Sequence, residues 1–185
     1  MTAAERAEYA EIIERKSIYM KELLEDFNLT MRLRNQEMPL HREETPAESF
    51  VRELVIDVLN DSRYTGRDIT FDSSAPDAVW NVDRHLLKRA ILNFITNAII
   101  HNTPAIAITV HVTDGGLIIE DNGKGIAEED MDQIFDRYYR GSNTENIYGT
   151  GLGLAISKDI IEAHGGRVTL TSHADRGTTV EITIG

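Results

Sequence analysis

The sequence contains no cysteine, and it has far fewer basic than acidic residues. Without cysteine, disulfide frameworks, thiolate zinc sites and cysteine nucleophiles are all excluded. The 19 lysines and arginines face 31 acidic residues, which gives a formal net charge of -12. Because binding to duplex nucleic acid depends on neutralising phosphates with basic side chains, this charge balance argues against a nucleic-acid partner.

Long hydrophobic runs are also missing. No apolar stretch approaches the ~20 residues that a membrane-spanning helix needs, and the acidic N-terminus does not resemble a signal peptide. The 6 histidines form no HExxH arrangement, and no GxxxxGKS or GxxxxGKT phosphate loop occurs. What remains is typical of a soluble, cytoplasmic-type chain: 185 residues, 41% of them hydrophobic, are enough for one globular domain and a short appendage.

Residues 3–34 contain neither glycine nor proline and predict a long N-terminal helix. One face carries a seam whose members are spaced alternately by four and three residues, as in a heptad repeat. The seam consists of Tyr9, Ile13, Lys16, Met20, Leu23 and Phe27. Such a seam predicts either packing on the helix's own domain or half of a dimeric helical bundle, and therefore a homodimer through this helix.

The rest of the chain alternates between helical and strand patterns. After a linker over 38–46, we predict helices at 47–59, 83–101, 127–135 and 151–163, and strands at 68–72, 78–82, 105–112, 117–120, 167–171 and 178–184, with a long polar loop over 136–150. This order predicts an α/β fold, a two-layer sandwich of a mixed sheet with its helices on one face. We place the domain boundary between residues 1–44, helix and linker, and residues 45–185.

The helix over 83–101 has a polar face on which Arg89, Asn93, Asn97 and His101 follow at intervals of four. Asparagine is unfavourable inside a helix, because its side chain competes for backbone hydrogen bonds. Its amide oxygen can ligate Mg²⁺, and its NH₂ group can donate to a phosphate oxygen. By itself, an NxxxN pair is more typical of an ordinary solvated face.

Two glycine-containing motifs follow. The DNGKGI segment at 121–126 comes directly after a strand, and an ionised Asp121 can accept a hydrogen bond from the exocyclic amine of adenine. The GTGLGL segment at 149–154 enters a helix, where backbone N–H groups form an anion site. Alone, the first also fits a plain turn and the second the hinge of a flexible lid.

Taken together and in this order, the three motifs resemble the N, G1 and G2 boxes of the GHKL ATPases, which share the Bergerat ATP-binding fold. That superfamily includes gyrases, heat-shock chaperone ATPases, histidine kinases and mismatch-repair ATPases. The FDRYYR segment at 135–140 is similar to the F box of sensor histidine kinases. The segment 23–55 resembles the end of their dimerisation helix, its linker and the first catalytic-domain helix, so the resemblance covers almost the whole chain.

The resemblance implies that this chain binds ATP and Mg²⁺. Asn93 would ligate the metal, Asn97 would contact the triphosphate, Asp121 would accept from the adenine amine, and Arg140 would act with Asn93 in phosphoryl transfer. The other implied binding residues are His101, Gly123, Gly125, Ile126, Gly149, Gly151, Leu152, Gly153 and Thr178. For His101, a role as a helix-end residue is an equally good interpretation.

As a sensor histidine kinase, the protein would donate the γ-phosphate of ATP to a histidine of the dimerisation domain in two-component signal transduction. Its partners would be the phosphoacceptor helix of its own parent protein and the receiver domain of a response regulator. The expected location is the cytoplasmic part of a membrane-bound sensor. The N-terminal helix would be the second helix of a dimerisation hairpin.

The sequence departs from the family pattern at two places. Ile100 stands where the family often has a phosphate-binding lysine, so Arg140, Arg89 or Lys88 would have to supply that charge. No segment resembles the H box that carries the acceptor histidine. We therefore expect the chain on its own to bind ATP without phosphorylating itself.

Three alternatives share parts of the pattern. A gyrase-type or mismatch-repair ATPase usually has a general-base glutamate near the N box, whereas residues 85–92 contain no acid. An anti-sigma-type serine kinase shares the ATP site but not the heptad helix. The third alternative is a nucleotide-binding interaction module without turnover; in a nucleotide-independent module the motifs would be relics.

Overall fold

The chain forms two compact units, residues 1–38 and 39–185. The computed structural model describes residues 2–34, 39–141 and 150–185. Within the first unit, helix α1 spans Ala3–Arg34, as predicted. On its seam, Tyr9, Ile13, Met20 and Phe27 are each between 46% and 65% exposed. Across the described residues, no helix combines the length and apolar character that crossing a membrane requires.

The second unit contains four further helices and seven strands within the described residues. Its helices are α2 (Ala47–Asn60), α3 (Arg84–Ile100), α4 (Glu128–Met131) and α5 (Gly153–Ala163). Its strands are β1 (Glu43–Pro46), β2 (Asp68–Ser73), β3 (Val79–Val82), β4 (Ala107–Thr113), β5 (Gly116–Asp121), β6 (Arg167–His173) and β7 (Gly177–Thr183).

Five strands form one mixed sheet in the order β2-β4-β5-β7-β6. Strands β2 and β4 are parallel, and the other neighbours are antiparallel. Helices α2, α3 and α5 pack against this sheet, and α3 and α5 also pack against each other. The predicted two-layer α/β sandwich with a mixed sheet is therefore confirmed.

The alternation of side chains along the strands explains why one face of the sheet carries the helices. In β4, Ile108, Val110 and Val112 are buried, while the residues between them are only partly covered. On α3, Leu87, Ile91 and Ile95 are fully or almost fully buried. Because a strand has a period of 2 and a helix one of 3.6, these patterns place one apolar stripe of α3 on one apolar face of the sheet.

The start of α3 is fixed by a buried hydrogen-bond cluster. Asp83 caps the helix by accepting from the Leu86 N–H at 3.2 Å, and its other carboxylate oxygen accepts from the His41 N–H at 3.1 Å. The Asp83 N–H donates to Nε2 of the buried His164 at 3.0 Å, and His164 Nδ1 donates to the Ile160 carbonyl at 2.8 Å. Burial lowers the pKa of His164, which favours the neutral imidazole that this pattern requires. The cluster therefore ties the beginning of α3 to the end of α5.

Several predicted boundaries were wrong. Residues 43–46, assigned to the linker, form β1 and pair with β3, while β2 pairs with β4 rather than with its neighbour in sequence. Helix α4 ends at Met131, because the following residues continue as turns in which Gln133 and Asp136 donate three residues back. Helix α5 begins at Gly153, two residues later than predicted.

The packing of α3 gives a direct test of the fold. Replacing the fully buried Ile91 by alanine should lower the free energy of unfolding by about 2–5 kcal/mol, since it removes buried methyl groups and leaves a cavity. The same change at Ile100, which is 42% exposed on the same helix, should alter it by no more than about 0.5 kcal/mol. Urea denaturation of both variants measures this; equal losses would contradict the assigned faces of α3.

Candidate functional site

Asp121 is a buried carboxylate at the end of β5. Its Oδ1 accepts hydrogen bonds from the Gly123 N–H at 2.9 Å and from Asn102 Nδ2 at 3.2 Å. Burial raises the pKa of Asp121, while the hydrogen bonds from Gly123, Asn102 and the Thr178 backbone act in the opposite direction. An acceptor-only group is thus kept in a poorly solvated place, where a hydrogen-bond donor on a ligand would be favourable.

The next two strands of the sheet, β7 and β6, each carry a hydroxyl group in register with Asp121. Thr178 on β7 is directly opposite Asp121 in the antiparallel pair β5–β7. The Thr178 hydroxyl lies 2.9 Å from the Ser172 hydroxyl, and Ser172 Oγ accepts from the Ile126 N–H at 2.9 Å. The predicted residues Asp121, Ile126 and Thr178 therefore do lie together, joined through Ser172, which the sequence analysis did not identify.

The glycines after Asp121 are required by contacts within the protein itself. A Cβ at Gly123 would overlap the Asn102 side chain, and one at Gly125, where φ is +70°, would overlap the His173 carbonyl oxygen. Gly177, with φ +87°, leaves the same kind of room for the Asp121 carbonyl oxygen. These close approaches hold the loop 122–126 against α3, β6 and β7.

Asn102 is the second functional candidate that sequence reasoning missed. It follows α3 directly, and its position five residues after Asn97 puts it off the face that the spacing of four identified. No local sequence signal identifies it, because its contact with Asp121 joins segments that are 19 residues apart.

At the other end of the site, Asn93 meets the start of α5. Its Nδ2 donates to the Gly153 carbonyl at 3.2 Å and to the Ser157 hydroxyl at 3.1 Å. Because a carbonyl oxygen can only accept, the NH₂ group must be the part that faces α5. No described residue donates a hydrogen bond to Asn93 Oδ1, so this oxygen keeps its capacity to ligate a cation.

The segment that enters α5 contacts the predicted F box. Gly151 has φ +70°, and its carbonyl accepts from the Tyr138 N–H at 2.9 Å. Arg137 forms an ion pair with Asp159 on α5 at 2.7 Å, and both side chains are largely covered. Leu152 is buried, and its N–H bonds to the Thr150 hydroxyl at 3.2 Å. The predicted G2 and F boxes are therefore adjacent where the structure describes them.

His101 lies at the C-terminal end of α3, half-buried and close to two cations. Burial lowers the pKa of His101, and the charges of Lys124 and Arg140 lower it further. A cleft of about 420 Å³ opens here, with His101, Gly123 and Lys124 in its wall. Because both charges act on His101, Lys124 and Arg140 lie near the C-terminal end of α3.

Other predicted residues fall outside this arrangement. Lys88 pairs with Asp57 at 2.9 Å and lines a separate cleft of about 480 Å³ between α2 and α3, so it does not supply the cation missing at Ile100. Asn97 is half-buried one turn after Asn93. Among the described residues, its side chain has no hydrogen-bond partner. Gly149 lies outside the described residues.

One helix joins the two groups of residues. From Asn93 to His101, α3 rises by about 12 Å at 1.5 Å per residue. At one end of this stretch, Asn93 donates to the Gly153 carbonyl. At the other end, Asn102, just beyond the helix, donates to Asp121. The arrangement suits an elongated ligand that needs an acceptor at one end, and donors with an oxygen ligand for a cation at the other.

Comparison with known proteins agrees with this geometry. The family described as histidine kinase-, DNA gyrase B-, and HSP90-like ATPase matches residues 82–185, more than half of the chain. Sensor histidine kinase YvrG of Bacillus subtilis is 36% identical over 183 residues, which are 95% of this chain and 31% of the relative. Sensor histidine kinase component HK1 of Mycobacterium tuberculosis is 37% identical over 122 residues, 65% of this chain and 72% of that protein.

Solved structures show the same fold. Full-length ShkA in complex with AMPPNP superposes on 100% of this chain and 39% of its own, with a TM-score of 0.82 and 24% identity. The mycobacterial sensor histidine kinase MprB superposes on 77% of this chain and 96% of its own, with a TM-score of 0.64 and 25% identity.

The chain spans about a third of the length of the curated relatives that resemble it over most of its residues, 31% of YvrG and 29% of the staphylococcal sensor protein kinase WalK. Over that third, the sequence resembles these relatives. The chain therefore belongs to the histidine kinase-, DNA gyrase B- and HSP90-like ATPase family, and within it to the ATP-binding domains of sensor histidine kinases.

Proposed function

We propose that residues 39–185 bind Mg-ATP along α3 and present its γ-phosphate to a histidine on a dimerisation helix, as part of a two-component sensor kinase. Helix α1 would be the second helix of that dimerisation hairpin, and its exposed seam would form a homodimer. A response regulator receiver domain would then take the phosphate. The chain itself would supply binding and orientation and, without an acceptor histidine, would not phosphorylate itself.

The adenine would lie against Asp121. Its carboxylate already has two donors on Oδ1, which leaves acceptor capacity on Oδ2 for the exocyclic amine. Ile126 and Thr178 would complete this end, since both are joined to the Asp121 region through Ser172. His101, neutral because of its depressed pKa, would flank the base without adding charge.

The triphosphate would extend towards the start of α5. There Gly151, Leu152 and Gly153 lead into helix α5, and their backbone N–H groups would donate to the phosphates. The dipole at the N-terminus of α5 favours an anion. Asn97 and, by the family pattern, Gly149 would add donors. Arg140, whose charge lowers the pKa of His101, would bring a positive charge to the phosphates.

Asn93 fits a magnesium ion. Its Nδ2 is committed to Gly153 and Ser157, so its Oδ1 is a neutral oxygen ligand in a fixed orientation, of the kind that Mg²⁺ accepts beside phosphate oxygens. When bound, the metal would neutralise charge on the phosphates. The fixed amide would hold the phosphate chain in one orientation and so leave the terminal phosphate facing the acceptor.

One observation carries this proposal: a single helix contacts the Asp121 loop at its end and the first residue of α5 at its middle. Phosphoryl transfer depends mainly on positioning and charge neutralisation, so a rigid element that spaces both ends of the nucleotide is the main requirement. No described residue near Asn93 needs to act as a base, because in this scheme the base would accompany the acceptor histidine.

Replacing Asp121 by asparagine should weaken Mg-ATP binding by about tenfold or more, because the acceptor for the adenine amine is lost. The matched control is Asp114→Asn in the exposed β4–β5 turn, which should leave the affinity unchanged. Isothermal titration calorimetry of the three proteins at pH 8 measures the effect. Undiminished binding by the Asp121 variant would exclude this carboxylate as the base-selecting group.

Thermal unfolding separates lost binding from lost structure. Since burial raises the folded-state pKa of Asp121, the ionised carboxylate costs stability at a pH above that pKa. The ligand-free Asp121→Asn protein should therefore be at least as stable as the wild type at pH 8. The difference should shrink as the pH falls through the raised pKa towards 3.8, because the wild-type carboxyl then becomes neutral as well.

Replacing Asn93 by alanine should weaken ATP binding by about tenfold or more in the presence of Mg²⁺, because an oxygen ligand of the metal is removed. When EDTA removes the metal, wild type and variant should bind ATP with similar, low affinity. The control is Asn60→Ala, an exposed position at the end of α2. A loss of the same size with and without magnesium would show that Asn93 acts only through its contacts with α5.

A further inference from the structure

The side chain of Asn102 connects three elements at the base end of the site. Its Nδ2 donates to the Ala98 carbonyl at 3.0 Å and to Asp121 Oδ1 at 3.2 Å, and its Oδ1 accepts from the Lys124 N–H at 3.0 Å. A carbonyl can only accept and an N–H can only donate, so the orientation of the amide is determined by its partners. These partners lie in α3 (Ala98), at the end of β5 (Asp121) and in the loop 122–126 (Lys124).

These contacts restrict how the Asp121 carboxylate can turn. Its Oδ1 receives two donors from different directions, the Gly123 backbone and the Asn102 amide. Gly123 in turn has no room for a Cβ, because the Asn102 side chain occupies that space. The carboxylate, the loop backbone and the asparagine therefore form one packed unit.

The orientation of this carboxylate decides which purine it can recognise. An ionised, fixed carboxylate only accepts, which suits the exocyclic amine of adenine and opposes the carbonyl that guanine has in that place. A carboxyl that can rotate or take up a proton could donate to the guanine carbonyl and would discriminate less. Buried polar groups that are left unpaired by the wrong ligand are a strong source of discrimination.

We propose that Asn102 is a specificity-determining positioning residue, which holds the Asp121 carboxylate in one orientation and so sets the preference for an adenine over a guanine nucleotide. This rests on the proposed function of the site as one for Mg-ATP. Asn102 acts through Asp121 and need not touch the nucleotide.

The charge balance at Asp121 agrees with this role. Burial and the charge of Glu120 both raise the pKa of Asp121, and the Asn102 hydrogen bond is among the contacts that lower it. Removing the Asn102 amide should therefore raise the pKa of Asp121 further. On acidification, ATP binding should then fail at a higher pH than in the wild type.

The test compares Mg-ATP and Mg-GTP affinities of the full 185-residue chain with those of Asn102→Ala and Asn102→Asp, each measured from pH 8 down to pH 5. For Asn102→Ala we expect the ATP-over-GTP preference to fall by about tenfold and the pH midpoint of ATP binding to move upward. Asn102→Asp keeps an acceptor for the Lys124 N–H and puts an oxygen against Asp121, so its effects should be in the same direction and larger.

A destabilised control separates positioning from stability. Asp61→Ala removes the carboxylate that accepts from the Arg63 N–H at 2.9 Å, far along the chain from this loop, and should change neither the base preference nor the pH midpoint. His101 and Glu120 are present in every protein compared, so the difference from wild type isolates Asn102. If the alanine variant does not fold, the aspartate variant carries the test.

Two results would overturn different statements. If the wild type binds Mg-ATP but both Asn102 variants keep its base preference and pH midpoint, Asn102 is a structural helix-end residue and the inference is wrong. If the wild type binds no Mg-ATP, the proposed function fails before Asn102 is tested.

Discussion

The packing of α3 against the sheet and against α5 determines where its proposed ligand-binding groups lie. The buried stripe of α3 prevents the helix from rotating, and the Asp83–His164 cluster prevents its first turn from sliding along α5. The position of the polar face of α3 is therefore set by contacts made elsewhere on the helix, by its buried stripe and its first turn. Asn93 reaches the start of α5, and Asn102 reaches the Asp121 loop, because the opposite side of the helix is held in the core.

In the proposed site, a triphosphate has to bind against the overall negative charge of the chain. With a net charge of -12, the protein repels a triphosphate at long range, and screening limits that repulsion to roughly 8–10 Å at physiological salt. In the proposed site, binding would then depend on local groups: the N-terminus of α5, the asparagine amides of α3, and Arg140 and Lys124 near His101. The absence of lysine at position 100 makes the proposed dependence on magnesium and Arg140 stronger.

Much of the fold follows from periodicity, because apolar residues with a period of 2 or 3.6 must be buried somewhere. Helix α3 and the strands β4, β5, β6 and β7 were predicted in this way. Strand β1 was not, because EETP has no alternating apolar pattern and its pairing with β3 is stabilised by tertiary context. The predicted length of α4 was too great, because an acidic sequence alone does not show that the residues after Met131 form turns.

The same distinction, between what a local sequence pattern indicates and what depends on contacts between distant segments, applies to the site. The family resemblance pointed to Asn93, Asp121 and Thr178, and the structure does bring Asp121 and Thr178 side by side. Asn102 and Ser172 could not be located, because each acts through contacts between segments that are far apart in sequence, 19 residues for Asn102–Asp121 and 46 for Ser172–Ile126. The glycines were predicted for closeness to a ligand, whereas their described contacts are with the protein itself.

Backbone amide NMR of the ¹⁵N-labelled chain tests most directly whether α3 joins both ends of one nucleotide site. The account predicts that adenosine alone shifts the amides of Gly123 and Gly125, that magnesium tripolyphosphate alone shifts those of Gly151 and Gly153, and that Mg-ATP shifts both sets with one common dissociation constant. Shifts confined to one set with Mg-ATP, or two sets with different dissociation constants, would contradict a single site along α3.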